Sequence, residues 1–208
     1  NTNNNNFTCF DFSSNNSNSR GLTLGSSLVT LTNYSGSCDL RGSNYTLDAG
    51  TSTIQFTGTT SGYYTNFYAE NTDSYYNVVF PGSTAYAGNL TGGLYFNNVT
   101  FNSIGATTTT GATFNSLNFL KDGTINGDNN TFSDLTFPLT GIINGNTNSF
   151  SSVNFIQLGT INGTNHTFSS VNFTLTGTIN GTNLIFEKAV FLQNGSIDGN
   201  NSFDSLLF

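Results

Sequence analysis

Thr167-Phe168-Ser169-Ser170-Val171-Asn172-Phe173-Thr174-Leu175-Thr176-Gly177-Thr178-Ile179-Asn180-Gly181-Thr182-Asn183-Leu184 decides the fold, because the chain repeats this 18-residue unit. Phe114, Phe132, Phe150, Phe168 and Phe186 mark one column, preceded by Phe96 and followed, one residue early, by Phe203. Phe119, Phe137, Phe155, Phe173 and Phe191 mark a second, which Phe101 precedes and Phe208 closes with the same shortening. Gly123 to Gly195, Ile125 to Ile197 and Gly127 to Gly199 recur at the same interval. Five columns in register are the signature of a repeat architecture.

Eighteen residues are too few for a helix pair or a propeller blade and suit one coil of a β-solenoid, in which each coil adds short strands to parallel sheets. Side-chain parity supports strands. Val171 and Phe173 share a face with Asn172 opposite, Phe168 lies across a bend, and Ile179 points inward between Thr178 and Asn180. Asn180-Gly181 is expected to turn the corner, since both residues tolerate positive φ. Leu120, Leu139, Leu158, Leu175 and Leu192 fall one to three places after the second Phe, a slippage that marks another corner. About five apolar side chains per coil would face the axis, each contributing roughly 1.5–3 kcal/mol when stacked on its copies. The expected fold is all-β: a parallel β-helix with 18-residue coils. The right-handed form is favoured over three hexapeptides, because Phe168 and Val171 do not follow a hexad.

Composition narrows function. With 34 Asn, 23 Gly, 20 Phe, 9 Tyr, 4 Lys+Arg and 11 Asp+Glu, the chain carries a net charge of −7. Nucleic-acid binding needs clustered basic residues and is disfavoured. No apolar run approaches the roughly 20 residues that span a bilayer, so no membrane insertion by this segment is expected. The start, Asn1 to Asn6, does not resemble a signal peptide, and the lack of Met points to a processed or excised chain.

The repeat weakens toward the N-terminus. Tyr75-Tyr76-Asn77-Val78-Val79-Phe80 keeps the core spacing, and Thr53-Ile54-Gln55-Phe56 and Leu28-Val29-Thr30-Leu31 read as strands of longer coils. Three regions follow: residues 1–20 as a tail or cap, 21–110 as irregular Tyr-rich coils, and 111–208 as regular coils. Cys9 and Cys38 lie in the irregular end, and two cysteines in an extracellular-looking chain suggest a disulfide between them.

No column collects the groups that catalysis requires. Asp122, Asp128, Asp134 and Asp198 stack on uncharged residues or Lys188, and only Glu187 and Asp204 share a column. His166, in a column with Asn130, Asn148 and Leu184, reads as a surface replacement for Asn. Neither a triad nor a phosphate loop nor a metal cage is legible, and no cofactor is expected. Asp39, Arg41, Asp48, Glu70 and Asp73 would meet only by accident of coil length. The outward pairs Thr124/Asn126, Thr160/Asn162 and Thr178/Asn180 form a flat polar strip, interrupted by Ile142/Asn144 and Ser196/Asp198. The 13 Asn-x-Ser/Thr matches arise by chance from so much Asn, Ser and Thr.

The F-x-x-V-x-F and T-I-N-G units over roughly residues 75–208, rich in Asn and Phe and poor in charge, resemble passenger regions of bacterial autotransporters, especially the vacuolating-cytotoxin-like autotransporters of Helicobacter. That resemblance implies a right-handed β-helix, export, display on the cell surface, and adhesion or colonisation. No residue here matches a toxin's membrane-inserting segment. The expected role is therefore non-enzymatic: a secreted bacterial cell-surface solenoid, structural or adhesive. Its partners would be a receptor or glycan on a host or neighbouring cell, or further copies of itself. Tyr63, Tyr64, Tyr68, Tyr75 and Tyr76 are the candidate contact residues, since Tyr is favoured in binding patches. The alternatives are an extracellular filament of end-to-end solenoids, a carbohydrate-active enzyme, or an ice-binding face.

Overall fold

The computed structural model describes residues 1–33, 37–42, 44–58, 64–70, 72–82 and 87–208. These form a parallel β-solenoid. Among the described residues a 13-stranded sheet and a 10-stranded sheet run its length, and a two-stranded sheet adds a third side near the N-terminus. In the regular half, Thr113–Phe119, Thr131–Phe137, Ser149–Phe155 and Thr167–Phe173 pair in parallel, with Phe114, Phe132, Phe150 and Phe168 in register. Gly123–Asn126, Thr140–Asn144, Leu158–Ile161 and Thr176–Ile179 form the opposing sheet.

The expected columns are continuous. Phe132 stacks on Phe150 at 4.9 Å between centroids and Phe150 on Phe168 at 4.7 Å, each with planes 6° apart. Phe119, Phe137, Phe155 and Phe173 follow at 4.9, 5.0 and 4.9 Å. Ile161 and Ile179 are fully buried above Ile125 and Ile143. Near-parallel rings at strand spacing are what parallel in-register pairing imposes on identical side chains. Each stacked pair adds about 0.5–1.5 kcal/mol beyond the area it buries.

The bend within each long strand has a parity cause. Phe150 and Val153 both point inward although three residues apart, so the chain changes face at Ser151 and Ser152, both exposed. The slipping leucines lie at a corner, as expected, but the number of inward columns is lower. Leu120, Leu158 and Leu192 are 53%, 50% and 58% exposed, so the corner turns its leucine outward and four hydrophobic columns, not five, fill the core. What replaces leucine inside is glycine. A Cβ at Gly177 would stand 2.6 Å from ring carbons of both Phe173 and Phe191, well inside the ~3.5–4.0 Å of ordinary carbon contact. The phenylalanine ring and the glycine are thus one packing unit.

The turn geometry also departs from expectation. The left-handed positions are Gly145, Gly163 and Gly199 (φ 97°, 102° and 92°), and then Asn129, Thr147, Asn165 and Asn183 (φ 56–59°), not the Asn of Asn-Gly. That Asn instead runs a side-chain amide ladder along the outside. Asn144 donates to Asn126 at 2.8 Å, Asn162 to Asn144 at 2.8 Å, and Asn180 to Asn162 at 3.3 Å.

The irregular half shares these sheets. Val29 pairs with Ile54, Ile54 with Val78 and Val78 with Val99. Its coils are longer, as side-chain bonds from Asn77 to Thr53, 24 residues back, and from Asn98 to Asn77, 21 back, record. Phe7–Cys9 and Phe12–Ser13, within the segment expected as a tail or cap, already pair with Leu28–Leu31 and Ser37–Asp39 as the first rung.

Candidate functional site

Side-chain chemistry gathers where the third side of the solenoid stops. Arg20–Thr23 and Tyr45–Asp48 pair along that side. On later rungs it contracts to a glycine-bearing turn at Gly92 and Gly93, whose φ values are 78° and 89°. Ionisable side chains expected to meet only by accident converge there. Arg41 Nε donates to Asp39 Oδ1 at 2.9 Å and Nη2 to Oδ2 at 2.7 Å. The guanidinium lies 4.3 Å over the ring of Tyr68. Bonding to Arg41 holds the Asp39 carboxyl below its ordinary range. Glu70 accepts the backbone N–H of Gly42 at 3.1 Å. Beside them opens a cleft of about 290 Å³, reached by Arg41, Glu70, Thr91, Thr108 and Thr110.

Beneath this surface sits a buried polar cluster. Tyr75 Oη donates to Asp73 Oδ2 at 3.3 Å. Burial pushes the Asp73 carboxyl up to about 6. Among the described residues the buried Tyr45 Oη has no hydrogen-bond partner, and desolvation with the nearby Asp73 charge raises its pKa.

The tyrosines do not form one patch. Tyr75 is a core residue, 2% exposed, stacked on Phe96 at 5.3 Å and edge-on to Phe67 at 4.9 Å, so its place among the contact residues is corrected. Its position in the Phe column carried that signal. Tyr68 is half-buried beneath Arg41 in the 10-stranded sheet. Tyr64 and Tyr76 are exposed, and Tyr63 lies outside the described residues. Tyr95, missed by sequence reasoning, is 38% exposed opposite Ser74. It precedes Phe96, where the regular coils have Thr113, Thr131, Ser149 and Thr167, and that outward slot identifies it.

Two further expectations are corrected. Cys9 and Cys38 are free thiols on different sheets, and no disulfide joins them. Cys38 is fully buried, which raises its pKa, and burial together with Asp11 raises that of Cys9. His166 is buried rather than superficial. Its column points inward and caps the backbone of the rung before. Asn148 Oδ1 accepts the N–H of Asn130 at 2.8 Å, and His166 Nδ1 accepts the N–H of Asn148 at 3.1 Å. His166 Nε2 then donates to the carbonyl of Asn162 at 3.1 Å. Those roles define the neutral Nε2–H tautomer, and burial lowers the imidazole pKa. Asn-to-His in this column is a ring nitrogen taking over from an amide oxygen.

The carboxylates of the regular half also serve the backbone. Asp122 accepts the N–H of Thr140 at 2.9 Å and Asp128 that of Asn146 at 2.6 Å. Among the described residues no three His, Cys, Asp or Glu side chains converge on a point that could hold a metal ion. No family model, no curated protein and no solved structure matches this chain.

Proposed function

We propose that this chain is a non-enzymatic β-solenoid displayed on a bacterial cell surface, passenger-like in the autotransporter sense, which holds an adhesive end away from the cell. The observation that carries the reading is the division of labour along the axis. One column runs from Phe96 to Phe203 and another from Phe80 to Phe208, beginning in the last irregular coils and continuing through all the regular ones, each pair 4.3–5.1 Å apart. Such a stack is stiff, and its stability grows with every added rung. The irregular coils carry the exposed tyrosines, both arginines and the clefts. Charge at 7% suits a rod whose outer faces are amide and hydroxyl ladders. Export and surface placement rest on the likeness of the F-x-x-V-x-F and T-I-N-G units to autotransporter passengers.

Antibody against residues 111–208, applied to intact cells of the source organism, tests display: labelling is expected without permeabilisation. Beads coated with the chain test adhesion, and should bind host or neighbouring cells more than beads coated with residues 111–208 alone. Labelling only after permeabilisation overturns the surface reading, and equal bead binding overturns the adhesive one.

A further inference from the structure

The two-stranded third side ends at Tyr45–Asp48, and among the described residues no strand continues it. Beyond that edge lies a cleft of about 380 Å³, with Asp48 on one wall and Ser74, Tyr76 and Tyr95 on the other. That volume falls within the range of ligand sites. Tyr95 stands opposite Ser74, and Tyr76 is two residues along on the same outward face, so the tyrosines are diagonal neighbours on adjacent rungs. Tyr76 is 39% and Tyr95 38% exposed, and the Asp48 carboxylate is exposed as well. Among the described residues Asp48 forms no ion pair, and no Lys or Arg lines the cleft.

The same half of the molecule shows what such a constellation holds. Arg41 is gripped by the Asp39 carboxylate from the side and by the Tyr68 ring from below. Arg20 likewise lies over Tyr45, at 5.1 Å. Both arginines of the chain therefore rest on tyrosine faces. The cleft brings together the same residue types, a carboxylate and tyrosine rings.

We propose that this cleft binds a guanidinium group, the arginine side chain of a partner protein, between the Asp48 carboxylate and the rings of Tyr76 and Tyr95. A guanidinium satisfies both partners at once: its N–H fork matches a carboxylate, and its plane stacks on an aromatic ring. The net charge of −7 draws cationic partners and repels phosphate or sulfate. A neutral sugar could stack on the tyrosines but would gain far less from the carboxylate. The partner rests on the adhesive reading above; the chemistry of the cleft does not.

The test is an NMR titration of the full chain with the blocked peptide acetyl-Gly-Arg-Gly-amide, following the ring resonances of Tyr76 and Tyr95. A saturable shift with a dissociation constant of roughly 1–10 mM is expected for a single side chain, weakened about fivefold or more by Asp48→Asn and by Tyr95→Leu. The matching lysine peptide should bind more weakly. Both variants alter outward side chains, so unchanged circular dichroism separates lost binding from lost folding. No saturable shift, full binding by Asp48→Asn, or tighter binding of a neutral trisaccharide overturns the proposal. Guanidinium chloride binding as tightly as the peptide refutes the protein partner. Adhesive beads with a silent cleft would sink this inference and leave the adhesive function standing; a responsive cleft on non-adhesive beads would do the reverse.

Discussion

Gly159→Ala adds one methyl group to a residue that has no left-handed backbone demand, so any effect reports packing alone. The new Cβ would stand 2.7 Å from Cδ1 of Phe155 and of Phe173. Carbon contacts settle near 3.5–4.0 Å, so about 1 Å must be found. Neither ring has free space: both are fully buried, 4.9 Å apart, with Phe137 and Phe191 as next neighbours at 5.0 and 4.7 Å. Overpacking of this kind costs about 1–3 kcal/mol, and disturbing a stacked pair adds about 0.5–1.5, giving roughly 2–4 kcal/mol. A solenoid's stability is a sum over rungs and their neighbours, so the loss is local. Hydrogen exchange is the fitting assay, and the amides of residues 155–179 should lose roughly 30- to 1,000-fold in protection. Gly82→Ala is the control, because its nearest neighbour, Asn102 Cβ, is 3.6 Å away, and exchange there should hardly change. Protection in Gly159→Ala within twofold of the parent would refute the idea that ring and glycine are one unit.

Thr147 is a β-branched residue at φ 56° in a column of left-handed asparagines, so Thr147→Asn should raise stability in urea by about 1 kcal/mol. Phe150→Ala removes a ring sandwiched between Phe132 and Phe168 and should cost about 3–5 kcal/mol in the same assay. Asp73 and His166 make opposite contributions to pH dependence. The Asp73 pKa is raised from 3.8 to about 6, so its stabilising protonation is complete below about 4 and lost as pH rises through about 6. The His166 pKa is lowered from 6.5, so its contribution is complete above about 6.5 and lost as pH falls through the folded value. Urea titrations should therefore show stability falling more steeply from pH 4 to 6.5 in His166→Asn than in the parent, and rising in Asp73→Asn; parallel curves for all three would contradict both burials. Alkylation without reductant should modify both cysteines of the denatured chain and leave Cys38 untouched in the native one.

The sequence made the columns legible because an in-register parallel stack writes each inward position once per coil. Phe132, Phe150 and Phe168 could be aligned by eye, and the structure stacks them. It misled where a residue type has two environments. Leucine after the second Phe is apolar, yet the corner that its slippage marks turns it outward, and the bulk of the Phe ring leaves room only for glycine inside. Asparagine and histidine at positions 130, 148 and 166 are polar and by type suggest surface, yet the turn leaves buried backbone N–H groups whose acceptors must come from within. Cys9 and Cys38 lie on different sheets as free thiols, and sequence spacing in coils of varying length does not say which sheet each residue joins. In the irregular half the coil lengths vary, so although the Phe column marks Tyr75 as inward, no column rule places Tyr68 or brings Asp39, Arg41 and Tyr68 together.

That contrast explains why the clefts beside Arg41 and beside Tyr76 sit where they do. A stack with a constant period gives each outward residue copies of itself above and below, and identical neighbours make ridges and flat ladders, such as the Asn126–Asn144–Asn162–Asn180 chain. Concavity requires the cross-section to change between one rung and the next. Here it changes once a third side, present at Arg20–Thr23 and Tyr45–Asp48, shrinks to a turn, and the clefts beside Arg41 and beside Tyr76 open at that step. The step is also where identical stacking lapses and arginine, aspartate, glutamate and tyrosine can stand next to one another. Deleting the third side, by shortening residues 41–50 to the length of a regular turn, should therefore close both clefts while leaving the Phe columns from Phe96 onward in place. Unaltered hydrogen-exchange protection across residues 113–191 together with lost arginine-peptide binding would be the signature, and binding that survived the deletion would locate the site elsewhere.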